Sequence, residues 1–314
     1  MNQLWGSMDQ YHQIAWHWEI AVYLFLAGLS AGAAISAVVV KKISHHSESN
    51  GLVKAGAVIA PIAIAAGLLL LIFDLTRPLN FWRLLVHYNF TSVMSVGVLA
   101  LFIYFPLTLL LFAATFHEKF SSGMFACFKP IAGLAKSLGK VIDALVLLFG
   151  VIIGAYTGFL LSAMNSHSLL NTPVLPILFL ASGLSSGICA NIIVGMVWFH
   201  QDLNINEVAS LDHTDKIIIY IELLLLFALF VGMFYQGQEA AATAAQALTH
   251  SAWAGVFWIG AVGVGLLLPL VLNFAFSSSF KSSPSKFIMF NATLVILGVL
   301  SLRFYILYAG QMFS

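Results

Sequence analysis

The chain has 314 residues, of which 61% are apolar and 8% charged, and its mean hydropathy is +0.98. A soluble domain carries about 25% charged residues, so this composition excludes a soluble enzyme and a disordered chain. With 13 basic against 12 acidic side chains there is no basic face for a nucleic acid, and Cys127 and Cys189 make no zinc, cluster or disulfide pattern. What remains is an all-α polytopic membrane protein.

A membrane-crossing helix takes about 20 mostly apolar residues, and eight such runs follow one another. The first, Trp18–Val40, is too long for a signal-peptide core and is read as a retained span. His17 and Glu19 stand at its start, Tyr23 lies one turn in, and it contains Leu24-Phe25-Leu26-Ala27-Gly28-Leu29-Ser30-Ala31-Gly32. The second, Val53–Phe73, closes with Asp74 and Arg77, three apart and so able to pair on one helix face; a plain interfacial cap is one reading. The third is Thr91–Ala114. Beyond it Met124, Phe128, Ile131, Ala135 and Leu138 recur at helical spacing among Lys129, Lys136 and Lys140, the pattern of a helix lying in the headgroup layer.

The fourth span, Val141–Ser162, carries Asp143 early and Tyr156 late, with Gly150, Gly154 and Gly158 in one row. The fifth, Pro173–Phe199, holds Leu178-Phe179-Leu180-Ala181-Ser182-Gly183-Leu184-Ser185-Ser186-Gly187, which matches the first-span string apart from one inserted residue. The sixth, Lys216–Phe234, places Glu222 inside the membrane, where a buried protonated carboxyl and a proton relay fit equally well. His250–Asn273 and Phe287–Tyr308 complete the set. Arg303, five residues from the end of the last span, has the reach to snorkel. No stretch alternates with period two, so a transmembrane barrel is excluded.

The repeated string recurs four spans on, so both copies cross in the same direction. This predicts two four-helix bundles, residues 1–165 and 166–314, related by a pseudo-twofold along the membrane normal. Gly28/Gly32 and Gly183/Gly187 let helix backbones approach closely and are read as packing seams. All ten lysines fall on one side of the eight spans, and Arg77, Arg83 and Arg303 lie toward the other. By the positive-inside rule the lysine side is cytoplasmic and both termini face out.

The ten histidines are expected in loops or at span ends, whereas a membrane haem needs them well inside facing helices. No phosphate loop, nucleophile elbow or metal-ligand spacing is present. The expectation is a chain with no haem and no metal, binding a redox substrate without a cofactor of its own.

Trp16-His17-Trp18-Glu19-Ile20-Ala21-Val22-Tyr23 running into the first glycine string resembles the opening helix of the NrfD/PsrC family, the membrane anchors of bacterial molybdopterin reductases. Asp74-Leu75-Thr76-Arg77-Pro78 is similar to the family's end of helix two, and Gly154-Ala155-Tyr156-Thr157-Gly158-Phe159-Leu160-Leu161 to its helix-four signature. Glu19 departs from the pattern, in which proline often follows the second tryptophan. The likeness covers essentially the whole chain and is greatest to the polysulfide and thiosulfate reductase branch. It implies an anchor in the bacterial inner membrane that oxidises menaquinol on the outer side. Electrons would pass to an extracytoplasmic four-cluster iron–sulfur subunit and then to a molybdopterin catalytic subunit. The terminal acceptor would be set in that catalytic subunit, so polysulfide, thiosulfate, tetrathionate, nitrite and arsenate all stay open.

Quinol oxidation removes two electrons and two protons, so each hydroxyl needs an acceptor within about 3 Å. His17, Glu19, Tyr23, Asp74, Arg77 and Tyr156 offer such groups on the outer face of the first bundle. Asp74 or Glu19 would accept a proton, Tyr156 or His17 would hold the other oxygen, and Arg77 would tune the carboxylate. Glu222 and Asp143, on the inner side, are candidates for a proton path. Two other classes stay open: a secondary transporter, against which stand the parallel repeat and the polar set at one face, and a purely structural anchor.

The lysine asymmetry is directly testable. Alkaline phosphatase fused after residue 314 or in the fourth loop should be active, and fused after Glu118 inactive. Activity at Glu118 would reverse the orientation.

Overall fold

The computed structural model describes residues 16–43, 50–74, 90–117, 129–164, 167–249, 252–276 and 284–312. Eight of its helices are long and apolar enough to cross a membrane, and among the described residues there is no strand. In chain order the helices are α1 (Trp18–Ile43), α2 (Gly51–Asp74), α3 (Val93–Thr115), α4 (Lys129–Ser137), α5 (Gly139–Ser162), α6 (Val174–Trp198), α7 (Ile205–Gln236) and α8 (Gln238–Thr249). Then come α9, continuous through Ala252–Gly255, Val256–Leu267 and Leu268–Phe276, and α10 (Pro284–Met312). All except the short α4 and α8 are spans.

Two helices organise the rest. In α1 and α6, 78% and 72% of the spanning residues are buried, against 28% to 44% in the other six. These are the helices that carry the repeated strings, and they meet along them. Gly183 sits against the backbone of Gly28, and Gly187 against Gly32 and Ala33. A methyl group at Gly32 or Gly187 would overlap backbone atoms of the facing helix, so the expected seams are in place and join the two halves directly. Polar side chains close the same seam. Asn191 of α6 donates to the Ala33 carbonyl (2.9 Å) and to Ser36 Oγ (2.8 Å) of α1. Ser30 donates to the Ala60 carbonyl of α2 (2.7 Å) and lies 3.2 Å from the Tyr104 hydroxyl of α3. In hydrocarbon such groups find no water, so each must be met within the protein.

Around this axis the first four spans close on one another through α1·α2, α2·α3, α3·α5 and α5·α1 contacts. In the second half α6 packs on α7 and α10, and α10 on α9. The edge-on Phe230–Phe257 pair, with ring centroids 5.4 Å apart, links α7 to α9. One apolar core runs from Tyr23 and Ile64 through Leu178 and Phe179 to Tyr305 and Leu307, and so spans both halves.

Two elements differ from the sequence expectation. The sixth span begins at Ile205, not Lys216. Its first turns are too polar for a hydropathy criterion, yet Val208, Leu211, Asp215, Ile219 and Glu222 recur every three or four residues and are all buried. Asn204 caps it by accepting from the Asn206 amide at 3.1 Å. At its other end Gly237, at φ 140, makes a turn that side-chain-bearing residues rarely adopt. His213 therefore lies inside α7, contrary to expectation, although its side chain is exposed. The seventh span winds as a π-helix over Val256–Leu267, far longer than the usual single-turn π-bulge. There Gly265 meets Gly298 of α10 backbone to backbone, and Gly260 meets Ser301. Of the amphipathic stretch in the third loop, Lys129–Ser137 is the expected helix, α4, with Ala132 and Ala135 buried and Leu134 exposed, as is Leu138 just past its end. Met124 and Phe128 lie outside the described residues.

The seam predicts a contrast between two glycines. Gly187→Ala should destabilise the folded chain by about 1–3 kcal/mol, since the added carbon meets backbone that cannot yield. Gly232→Ala meets nothing within 4 Å and should leave thermal unfolding in detergent unchanged or slightly raised.

Candidate functional site

The start of α1 and the end of α2 lie side by side at the end of the molecule away from the lysines. His17, Glu19 and Asp74 each bring one side-chain donor atom to this place, and the three atoms lie within 4.8 Å of one another. His17 and Asp74 are exposed and Glu19 is half-buried. Glu19 Oε2 is buried and has no hydrogen-bond partner, and Tyr308 of α10 lies within its electrostatic reach. The start of α1 is pinned to the end of α10, because the Trp16 amide donates to Gln311 Oε1 (2.8 Å) and Gln311 Nε2 donates back to the Trp16 carbonyl (3.1 Å). Stacked Trp253 and Tyr308, with ring centroids 4.4 Å apart, flank this corner.

Below the polar group lie two buried tyrosines. Tyr23 of α1 packs on Gly67 of α2, where an added carbon would come 3.3 Å from its ring. The Tyr156 ring of α5 lies directly on Gly97 of α3, in space any side chain would fill. The two tyrosines interact electrostatically. Of the six outer-face candidates, His17, Glu19 and Asp74 meet where α1 begins and α2 ends, and Tyr23, one turn on from Glu19, interacts with Tyr156 of α5. The sixth, Arg77, lies outside the described residues. In the loop before α6, burial lowers the pKa of the His167 imidazole from its ordinary value.

The inner candidates separate. Asp143 is ion-paired with Lys41 of α1 at 3.0 Å, a cross-link between α5 and α1 at the lysine end. Glu222 lies in a different environment, entirely buried, with neither carboxyl oxygen hydrogen-bonded. Its electrostatic neighbours are Asp215 and Arg303. Arg303 does not snorkel. It is fully buried, its guanidinium lies 3.6 Å over the Phe179 ring, and Nη2 donates to the Phe179 carbonyl at 3.0 Å. Helix α10 runs on to Met312, past the expected end, and α6 covers the side chain. Arg303 Nε and Nη1, like the Glu222 oxygens, have no partner.

Sequence reasoning misses Asp215 because it falls outside the expected span. It accepts from Ser185 Oγ (2.7 Å) and Cys189 Sγ (3.4 Å), two turns from Glu222 on the same buried face. A narrow cleft lined by Cys189, Asp212, Asp215, Lys216, Asn273 and Asn291 leads to it. The three- and four-residue apolar spacing that leads along Val208–Glu222 is the signal that could have found it.

The family model for "Polysulphide reductase, NrfD" matches residues 6–314. The chain belongs to the NrfD family. It is 52% identical to a polysulfide reductase chain of Wolinella succinogenes, over 100% of this chain and 99% of that one. The NrfD protein of Escherichia coli is 35% identical over 98% of each chain. A selenate reductase subunit of Mesobacillus selenatarsenatis is 24% identical over 82% of this chain and 66% of its own length. As an NrfD-family member the chain is an all-α membrane protein related to subunits of reductase complexes.

Proposed function

We propose that this chain is the quinol-oxidising membrane subunit of a respiratory reductase complex of the polysulfide reductase type. It would lie in the bacterial cytoplasmic membrane with both termini outside. The observation that carries the reading is the meeting of His17, Glu19 and Asp74, with Tyr23 one turn on from Glu19 and coupled to Tyr156. An apolar slot with a few polar groups at its mouth is what a quinol head group needs. One hydroxyl gives its proton to Asp74 or Glu19, and the other oxygen is held by Tyr156 or His17. Two electrons and two protons leave, and the product is the quinone. The electrons go to a four-cluster iron–sulfur subunit on the outer side and onward to a molybdopterin subunit. This chain holds menaquinol as substrate, with no haem and no resident metal.

Asp74→Asn keeps size and hydrogen bonding but removes the proton acceptor. Menaquinol-driven acceptor reduction should fall by about 10²–10⁴-fold, the usual contribution of a general base. Electrons supplied artificially to the catalytic subunit should still reduce acceptor. Tyr156→Phe should act more mildly, through weaker quinol binding. Intact menaquinol-driven activity in both variants would move the site elsewhere.

A second reading concerns protons in the other half. The unpartnered Glu222 and Arg303 atoms, with Asp215 toward the lysine end, support a proton path through Glu222. Asp143, already ion-paired with Lys41, would then serve chiefly to tie α5 to α1. Glu222→Gln should slow menaquinol-driven turnover while quinone binding stays intact. Unchanged turnover and proton movement would leave Glu222 a structural acid.

A further inference from the structure

The three side chains at the mouth of the candidate site also form a metal-donor set. Fifty-five positions separate Glu19 from Asp74, so no local spacing rule detects it; the antiparallel α1–α2 pair assembles it. We propose that His17, Glu19 and Asp74 form an exchangeable site for a zinc-class divalent cation, and that its occupancy blocks quinol oxidation. The second half of this proposal rests on the reading of Asp74 and Glu19 as proton acceptors.

Geometry comes first. Zinc binds imidazole nitrogen and carboxylate oxygen at about 2.0–2.2 Å, which sets tetrahedral donors about 3.4 Å apart. The three donor atoms already lie within 4.8 Å of one another. His17 and Asp74 are exposed, and among the described residues neither side chain is held by a hydrogen bond or ion pair. Ordinary rotamer changes therefore close the remaining distance. Glu19, anchored in the first turn of α1, supplies the fixed member.

Charge and donor type agree. Two carboxylates and one imidazole meet here. Glu19 Oε2 is cut off from solvent without any hydrogen-bond donor. A buried carboxylate oxygen in that state is stabilised by a cation. Magnesium and calcium favour all-oxygen shells, whereas an imidazole with carboxylates selects zinc and its neighbours. Three protein ligands leave a fourth position for water. A cation held there takes up the oxygen lone pairs that would otherwise receive the quinol protons, so binding and proton acceptance exclude each other.

The test uses zinc chloride and the intact chain in lipid nanodiscs. Calorimetry should show one saturable zinc site per chain. His17→Gln, Glu19→Gln and Asp74→Asn should each weaken it at least about tenfold. Substitution of Glu239, an acid in the first turn of α8 outside the donor set, by Gln (Glu239→Gln) should not. His17 is exposed, so His17→Gln tests the site with little risk to folding. Absence of saturable binding, or affinity unchanged by all three substitutions, overturns the site. In membranes, zinc should inhibit menaquinol-driven reduction and spare reduction driven by electrons supplied to the catalytic subunit. Zinc that binds these residues yet leaves menaquinol oxidation untouched overturns the second half, and with it the placement of the quinol, while the metal site itself stands.

Discussion

The structure depends on the contact of two bare helix backbones. Lipid tails are as apolar as leucine, so helices in a membrane associate through close packing and hydrogen bonds, without hydrophobic expulsion from water. Glycines at Gly28, Gly32, Gly183 and Gly187 bring α1 and α6 together until only backbone separates them. That approach lets Asn191 reach across to Ala33 and Ser36. It also leaves the outer faces of both helices free to receive the remaining spans. Every polar group described above is positioned relative to this pair.

Two polar centres result, and they differ in kind. The group at the mouth of the first four spans is partly open, acidic and exposed at its edges. The Asp215–Glu222–Arg303 group is buried, with unpartnered atoms of Glu222 and Arg303 in the interior. Burying such groups is costly unless they are paired or solvated, so their retention calls for a reason other than stability. The two centres are not isolated from each other. Arg303 Nη2 comes within 3.4 Å of the place a side chain on Gly28 would occupy, so α1 borders both.

Much of this is legible in the residues. Eight apolar runs are a one-dimensional signal, and they appear as eight helices because the bilayer dictates their length. Glycine spacing announces the seam, since no other residue permits that approach. The outer-face candidates are legible because polar side chains at span ends are few. Other features depend on three dimensions or on periodicity that hydropathy hides. Asp215 sits on an amphipathic turn too polar to count as membrane, and Arg303 has the reach for the interface but is covered by α6. The π-helical course of α9 has no local sequence mark; it goes with the meeting of Gly265 and Gly298, two residues distant in the chain.

The clasp between Trp16 and Gln311 joins residues 295 positions apart. A membrane protein is made from its first helix onward, and domains form as they emerge. Here, however, the start of α1 has no final position until α10, the last helix, is in place. Tyr308, beside Glu19, and Arg303, beside Gly28, arrive with that same helix. A chain arrested before α10 would therefore contain every outer-face candidate yet lack the corner that fixes them. Completion of synthesis thus doubles as a checkpoint, since the mouth acquires its shape only when the final span has inserted.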